Sequence, residues 1–150
     1  RVRWYLRQPV YTGRVAGADS LRSEVPVAFV HGEVLIEGKI DAVAQSAGAL
    51  VALDYKTGYE TEGEADADHV FQLGLYCAGL QSLGHTVAGA FIVYLDRGQV
   101  VALDESAMAQ AHADATAALA TLRAGRFAPT RGPHCDRCGL RWACLYSCQA

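Results

Sequence analysis

Within EVLIEGKIDAVA (33–44) polar and apolar positions alternate over several residues, the period of a half-buried β-strand. After the short turn QSAGA (45–49), LVALDYKTG (50–58) opens as an unbroken apolar run and closes at Gly58, which predicts a second strand. Upstream, EVPVAFV (24–30) is rich in β-branched residues and predicts a strand of its own. The acidic stretch YETEGEADAD (59–68) predicts a solvated loop. A helix is expected from about Ala67 to Leu83, with Val70, Leu73, Cys77 and Leu80 on one stripe and Gly84 as its stop. TVAGAFIVYL (86–95) predicts a central strand, GQVVAL (98–103) a shorter one. A last helix is expected from about Glu105 to Ala124. Asp104 is its N-cap, Gly125 its stop, and Met108, Ala111, Ala115, Leu119 and Leu122 its apolar stripe. FAPTRGPH (127–134) predicts irregular structure, and no internal repeat or low-complexity segment is present. This order predicts an α/β domain with one mixed sheet flanked by helices.

Length and composition support that picture without narrowing it. One domain fits 150 residues, and 51% apolar with 19% charged residues is a globular balance. No run reaches the roughly 18 apolar residues of a membrane span and no leader pattern opens the chain, so the expected setting is cytoplasmic, without a membrane partner. The chain starts at Arg1 rather than Met, and an upstream portion is expected. Charge is uneven: residues 1–22 hold five arginines against Asp19, residues 123–150 five against Asp136, and residues 23–122 only Lys39, Lys56 and Arg97 against fourteen acids. Basic ends around an acidic centre suit phosphate and metal binding, and simple drift of surface charge accounts for them equally well.

The acidic centre has a specific feature. With the turn centred between Ala47 and Gly48, Asp41 and Asp54 are equidistant from it and become cross-strand neighbours in an antiparallel pair. Lys56 shares the face of Asp54, while Ile36, Ile40, Leu53 and Tyr55 are expected on the opposite, core-facing side. Two carboxylates that close need compensation. A hard divalent cation, Mg²⁺ or Mn²⁺, supplies it, and an adjacent lysine can orient a water and stabilise charge on a phosphoryl oxygen. An exposed ion pair of Asp41 or Asp54 with Lys39 or Lys56 satisfies the same spacing.

EGKIDAVAQSAGALVALDYKTG (37–58) resembles the core of the PD-(D/E)xK superfamily, and within it the RecB-like branch. That branch carries a G-x-I-D strand, a D-x-K-T-G strand and a helix with Q-x-x-x-Y, here Gly38–Asp41, Asp54–Gly58 and Gln72 with Tyr76, over roughly residues 24–95. The resemblance implies a restriction-endonuclease-like core. It implies Asp41 and Asp54 as ligands of Mg²⁺ or Mn²⁺ with the Tyr55 carbonyl, Lys56 as catalytic lysine, Glu24 as an upstream acid, and Gln72 and Tyr76 facing the site or the DNA. Members of the branch often carry a histidine ligand upstream of the glutamate, and none precedes Glu24. His31 and His69 do not match that position and are expected on the surface or in loops, His69 being the better placed of the two. The implied activity is metal-dependent DNA hydrolysis in recombination or repair, by a helicase–nuclease of AddB type or a stand-alone exonuclease, with DNA and a helicase domain or subunit as partners. A non-catalytic module using the same fold for DNA or protein contacts is the rival of a different class, and an RNA-directed hydrolase is a third reading.

The chain ends in HCDRCGLRWACLYSC, with Cys135, Cys138, Cys144 and Cys148 within fourteen residues. In a cytosolic setting such spacing points to metal rather than disulfides, and zinc and an iron–sulfur cluster both satisfy it. The resemblance implies a [4Fe–4S] cluster whose fourth cysteine lies far upstream in relatives; no cysteine precedes Cys77 here, so that ligand is expected either in an upstream portion or in Cys148 as its substitute. The expected organisation is a nuclease core over 1–132, incomplete at its N-terminus, and a cysteine-rich module over 133–150. Cys77, on the apolar stripe of its helix, is expected to be a buried structural thiol.

Overall fold

The computed structural model describes residues 1–58, 66–126, 129 and 131–144, with only the backbone of Pro133 and Arg137. The loop predicted over 59–68 therefore falls mostly outside the described residues, as do Cys148 and part of 127–134. The chain divides into two compact units, Arg1–Ala117 and Ala118–Ala150.

In the first unit a helical turn α1 (Val2–Tyr5) and a π-helical turn (Tyr11–Val15) precede strands β1 (Ser20–His31), β2 (Val34–Ser46) and β3 (Ala49–Lys56). Helix α2 (Ala67–Ser82) then leads to β4 (Thr86–Tyr94), β5 (Gln99–Leu103) and helix α3 (Glu105–Arg123). The five strands form one sheet in sequence order, antiparallel except for the β3–β4 pair, which is parallel because α2 carries the chain back to the starting edge. This is the mixed sheet flanked by helices that the sequence predicts, with element ends within a few residues of expectation except at β1, which starts four residues earlier.

The β2–β3 register follows from its turn. Ala47 (φ 49°) and Gly48 (φ 82°) both lie in the left-handed region, as a two-residue hairpin turn requires, and the ladder runs from Ser46↔Ala49 to Ala42↔Leu53. Asp19 supports the turn by accepting the Ala47 amide at 2.8 Å. Strand β3 is apolar without interruption because both of its faces are covered. Leu50 and Ala52 pack with Leu73, Cys77 and Leu80 of α2, whereas Val51 and Leu53 pack with Tyr5, Val10 and Val15 of the N-terminal segment. That N-terminal cover carries no element expected from sequence.

One expectation is corrected. Ile36, Ile40, Leu53 and Tyr55 do not share a face: Ile36 and Ile40 pack in the α2-side cluster, Leu53 and Tyr55 in the N-terminal-side cluster with Ala42 and Ala44. Strict alternation would keep Ile40 with Ala42, so the β1–β2 ribbon reverses its faces between them. The reversal coincides with Glu24, whose φ of 54° is left-handed and which is skipped in the ladder between Ser23↔Ala42 and Val25↔Ile40. Asp41 occupies the corner across from it.

Both helices are capped as their sequences imply. Asp66 accepts the Asp68 amide (2.9 Å) at the start of α2, and Asp104 accepts the Ala107 amide (2.7 Å) at the start of α3. The two helices approach closely at Gly74, where a β-carbon would lie 2.7 Å from that of Ala111. On α3, Met108, Ala111 and Ala115 are buried, but Leu119 is half-buried and Leu122 exposed, so the stripe fades after its third position.

Candidate active site

The site residues gather beneath α2, where β3 and β4 end and the β2–β3 ladder stops midway along β2. Beyond the last ladder pair, Ala42↔Leu53, the Tyr55 amide donates not to a backbone carbonyl but to Asp41 Oδ2, at 2.7 Å. Asp41 thus caps the end of the ladder, half-buried, on the residue that follows Asp54. Asp54 is only 6% exposed, and Lys56 Nζ lies 2.9 Å from its Oδ2. That is an ion-pair distance without hydrogen-bond alignment, since Asp54 Oδ2 is buried with no hydrogen-bond partner. Lys56 instead donates to Gln72 Oε1 at 3.1 Å, tying the lysine to α2. One turn on, Tyr76 lies against Gly38, where any β-carbon would collide with the phenol ring. Gly38 is therefore required by the approach of Tyr76, not by a turn. The Gln72 Nε2 to Tyr76 Oη separation is 3.5 Å.

Below this layer Tyr55 points into the opposite cluster, its hydroxyl 2.8 Å from that of Tyr5 and the rings edge-on. Burial raises the pKa of both phenols, with the Asp41 carboxylate adding to the rise at Tyr55. Both remain neutral hydrogen-bonding anchors that fix the strand carrying Asp54 and Lys56.

Glu24 stands apart from this group. Its carboxylate is exposed and bonded to Lys39 Nζ at 2.7 Å, and that contact raises the Lys39 pKa. The structure thus brings together Asp41, Asp54, Tyr55, Lys56, Gln72 and Tyr76, and leaves the Glu24 side chain paired at the kink. His31 contacts Thr116 (2.9 Å) and stacks edge-on with His112. His69 is not in a loop; it sits in the first turn of α2 and meets Tyr94 Oη at 3.1 Å.

Sequence reasoning missed Tyr94, Asp96 and Arg97. Tyr94 is the ladder partner of Lys56, and its hydroxyl accepts the Asp66 amide at 3.0 Å, pinning the start of α2. Asp96 Oδ2 accepts the Gly58 amide (2.6 Å), and its carboxylate pairs with Arg1. The available signal was position: polar residues at and just past the carboxyl end of a central parallel strand, where α/β sheets bind ligands.

Among the described residues no three His, Cys, Asp or Glu side chains form a group able to hold a metal. For the site this leaves two carboxylates and a carbonyl, hard oxygen donors of the kind that bind Mg²⁺ through one or two carboxylates with the remaining positions left to water and substrate. The orphaned Asp54 Oδ2 fits such an ion. For the tail, nothing among the described residues supports the expected [4Fe–4S] or zinc site, and Cys148 lies outside them. Cys135 (half-buried), Cys138 and Cys144 (exposed) are free thiols that do not converge, and a thiolate site needs four converging donors. Cys77 is fully buried, and burial pushes its thiol up to about 12.

An acidic pair, a lysine and a glutamine at the end of a mixed sheet, roofed by one helix, define a restriction-endonuclease-like α/β domain. Sequence comparison agrees. The chain matches the PD-(D/E)XK nuclease superfamily over residues 3–145 and belongs to that family. Among solved structures it resembles SSO0001, with a TM-score of 0.54 at 18% identity, covering 97% of this chain and 68% of that one. It also resembles a candidate exonuclease from Eubacterium rectale, with a TM-score of 0.55 at 16% identity, covering 91% of this chain and 56% of that one. No curated protein matches the chain. Among the described residues no helix is long and apolar enough to cross a membrane.

Proposed function

We propose that this domain hydrolyses phosphodiester bonds of DNA in the presence of Mg²⁺ or Mn²⁺. The observation that carries the reading is the convergence of Asp41, the buried Asp54, Lys56 and Gln72 at one strand end. Asp41, Asp54 and the Tyr55 carbonyl would hold the ion. When bound, it supplies Lewis-acid polarisation of the scissile phosphate and a lowered pKa for an attacking water. Lys56 is placed to orient that water and to offset negative charge growing on the phosphoryl oxygen. Gln72 steadies the lysine, and Tyr76 walls the site beside Gly38. Glu24 joins only if its pairing with Lys39 opens.

The finer assignment is to the RecB-like branch, on the strength of Gly38–Asp41, Asp54–Gly58 and Gln72/Tyr76 in order. It implies an exonuclease of recombination or repair, alone or with a helicase domain or subunit in the cytoplasm. A helicase would supply the strand affinity that a central stretch with three cations against fourteen acids lacks. The test is cleavage of labelled single-stranded DNA, double-stranded DNA and RNA with Mn²⁺, comparing the wild type with Asp54→Asn and Lys56→Ala, each checked for folding. Loss in both variants supports the proposal; equal cleavage by all three refutes it and favours a non-catalytic module.

A further inference from the structure

Of the three cations between residues 23 and 122, Lys39 is paired with Glu24 and Lys56 with Asp54. The third, Arg97, has no carboxylate partner among the described residues. Its neighbour Asp96 is occupied by Arg1 and by the Gly58 amide. The Arg97 guanidinium lies flat over the Tyr94 ring, 4.5 Å from its centroid, and its Nε and Nη1 are buried with no hydrogen-bond partner. Tyr94 is the β4 residue level with Lys56, and the two share the α2 face of the sheet. His69 leans on the same ring, one turn before Gln72 on α2. Arg97 therefore ends a line of side chains running Tyr76, Gln72, Lys56, Tyr94 along the site.

An unpaired guanidinium with shielded donors is costly in the free protein. It is also a fork preorganised by stacking, whose geometry matches two oxygens of a phosphate. We infer that Arg97 is a phosphate-binding residue of the substrate groove, gripping a backbone phosphodiester of the nucleic-acid strand beside the one at Lys56. This deepens the nuclease reading and rests on it. Nε and Nη1 are shielded from water, so a phosphate bonded to them would sit in a dry setting. A bond made in that dry setting is stronger than one at the surface.

The experiment is fluorescence anisotropy with a labelled single-stranded oligonucleotide in EDTA, between about 50 and about 200 mM salt. Wild type, Arg97→Gln and Arg97→Lys are compared, with the melting temperature of each. Arg97→Gln is expected to bind about 10-fold more weakly at low salt. Its log–log salt slope should be shallower by about 0.7, the share of one phosphate contact on a single strand. Arg97→Lys should recover the slope but not the full affinity, because it lacks the fork. The melting temperature of Arg97→Gln should be no lower than that of the wild type, since a half-buried cation with two shielded, unbonded donors is removed. Unchanged affinity and slope in Arg97→Gln, a wild type that does not bind, or weaker binding accompanied by a lower melting temperature would each overturn the assignment. Because EDTA removes cleavage from the readout, a wild type that binds through Arg97 but never cuts with Mn²⁺ would sink the nuclease reading while leaving this site in place.

Discussion

The ion pair at the centre of the site should respond asymmetrically to removal of its two halves. The Asp54 side chain is 9% exposed and that of Lys56 23%. At 2.9 Å their attraction in an effective dielectric of about 20 is about 6 kcal/mol before desolvation is counted. Lys56→Ala leaves a buried carboxylate with no cation, a change that typically costs about 3–5 kcal/mol, less whatever water reaches the site. We expect about 2–4 kcal/mol by urea denaturation. Asp54→Asn keeps the side-chain shape, and the lysine left behind retains Gln72 and partial access to water, so its cost should stay below about 1 kcal/mol. Mg²⁺ tightens the test. At about 10 mM, with a dissociation constant of about 1 mM, it stabilises the folded protein by about 1.4 kcal/mol. That is a rise of about 3–5 °C in melting temperature for a domain of this size. The gain should be larger in Lys56→Ala, where the ion replaces a missing charge, and nearly absent in Asp54→Asn. Equal costs for the two substitutions, or equal stabilisation of Asp54→Asn and the wild type by Mg²⁺, would refute this account of the site.

Three further outcomes are expected. Gly38→Ala puts a β-carbon 2.5 Å from Tyr76 Cε1 and Cζ and should cost about 1–3 kcal/mol of overpacking; combined with Tyr76→Ala it should add nothing to the cost of Tyr76→Ala alone, and additive costs in urea would contradict the contact. The buried Cys77 thiol ionises near 12 in the fold against 9.0 in the open chain, so its stabilisation is complete below pH 9.0 and is lost as pH rises towards 12. The unfolded chain then gives up the proton first, at about 1.4 kcal/mol per pH unit; relative to Cys77→Ala the wild type should lose about 2 kcal/mol between about pH 8 and about pH 10.5, and a constant difference would rule this out. Glu24→Gly relieves a left-handed residue and removes only an exposed ion pair, so stability should hold or rise by up to about 1 kcal/mol; a loss above about 2 kcal/mol in urea would mean that the carboxylate holds the kink.

What the sequence made legible was local. The left-handed Ala47–Gly48 turn sets the β2–β3 register, and counting outward from it brings Asp41 to Asp54 without knowledge of the rest of the fold. Asp104 and Gly125 mark the ends of α3 by cap chemistry that acts within a few residues. The remainder depended on relations between distant segments. Alternation assumes a ribbon that keeps its faces, and Glu24 breaks that assumption on a different strand from the one it affects, so Ile40 and Ala42 part company. The N-terminal cover of Tyr5, Val10 and Val15 has no periodicity, because two single turns are too short to show one. Tyr94 closes an apolar strand and Arg97 follows it as an ordinary loop residue would, and only the parallel β3–β4 pairing brings Tyr94 level with Lys56, with Arg97 over its ring. The departures from pattern and the chemistry coincide for a physical reason. Where the β2–β3 ladder stops, the Tyr55 amide needs another acceptor, and the residue at the corner of the reversed ribbon supplies a carboxylate. The same break that frustrates alternation thus fixes Asp41 within reach of Asp54, and an uninterrupted ladder would have satisfied that amide and left the carboxylate free to turn to solvent.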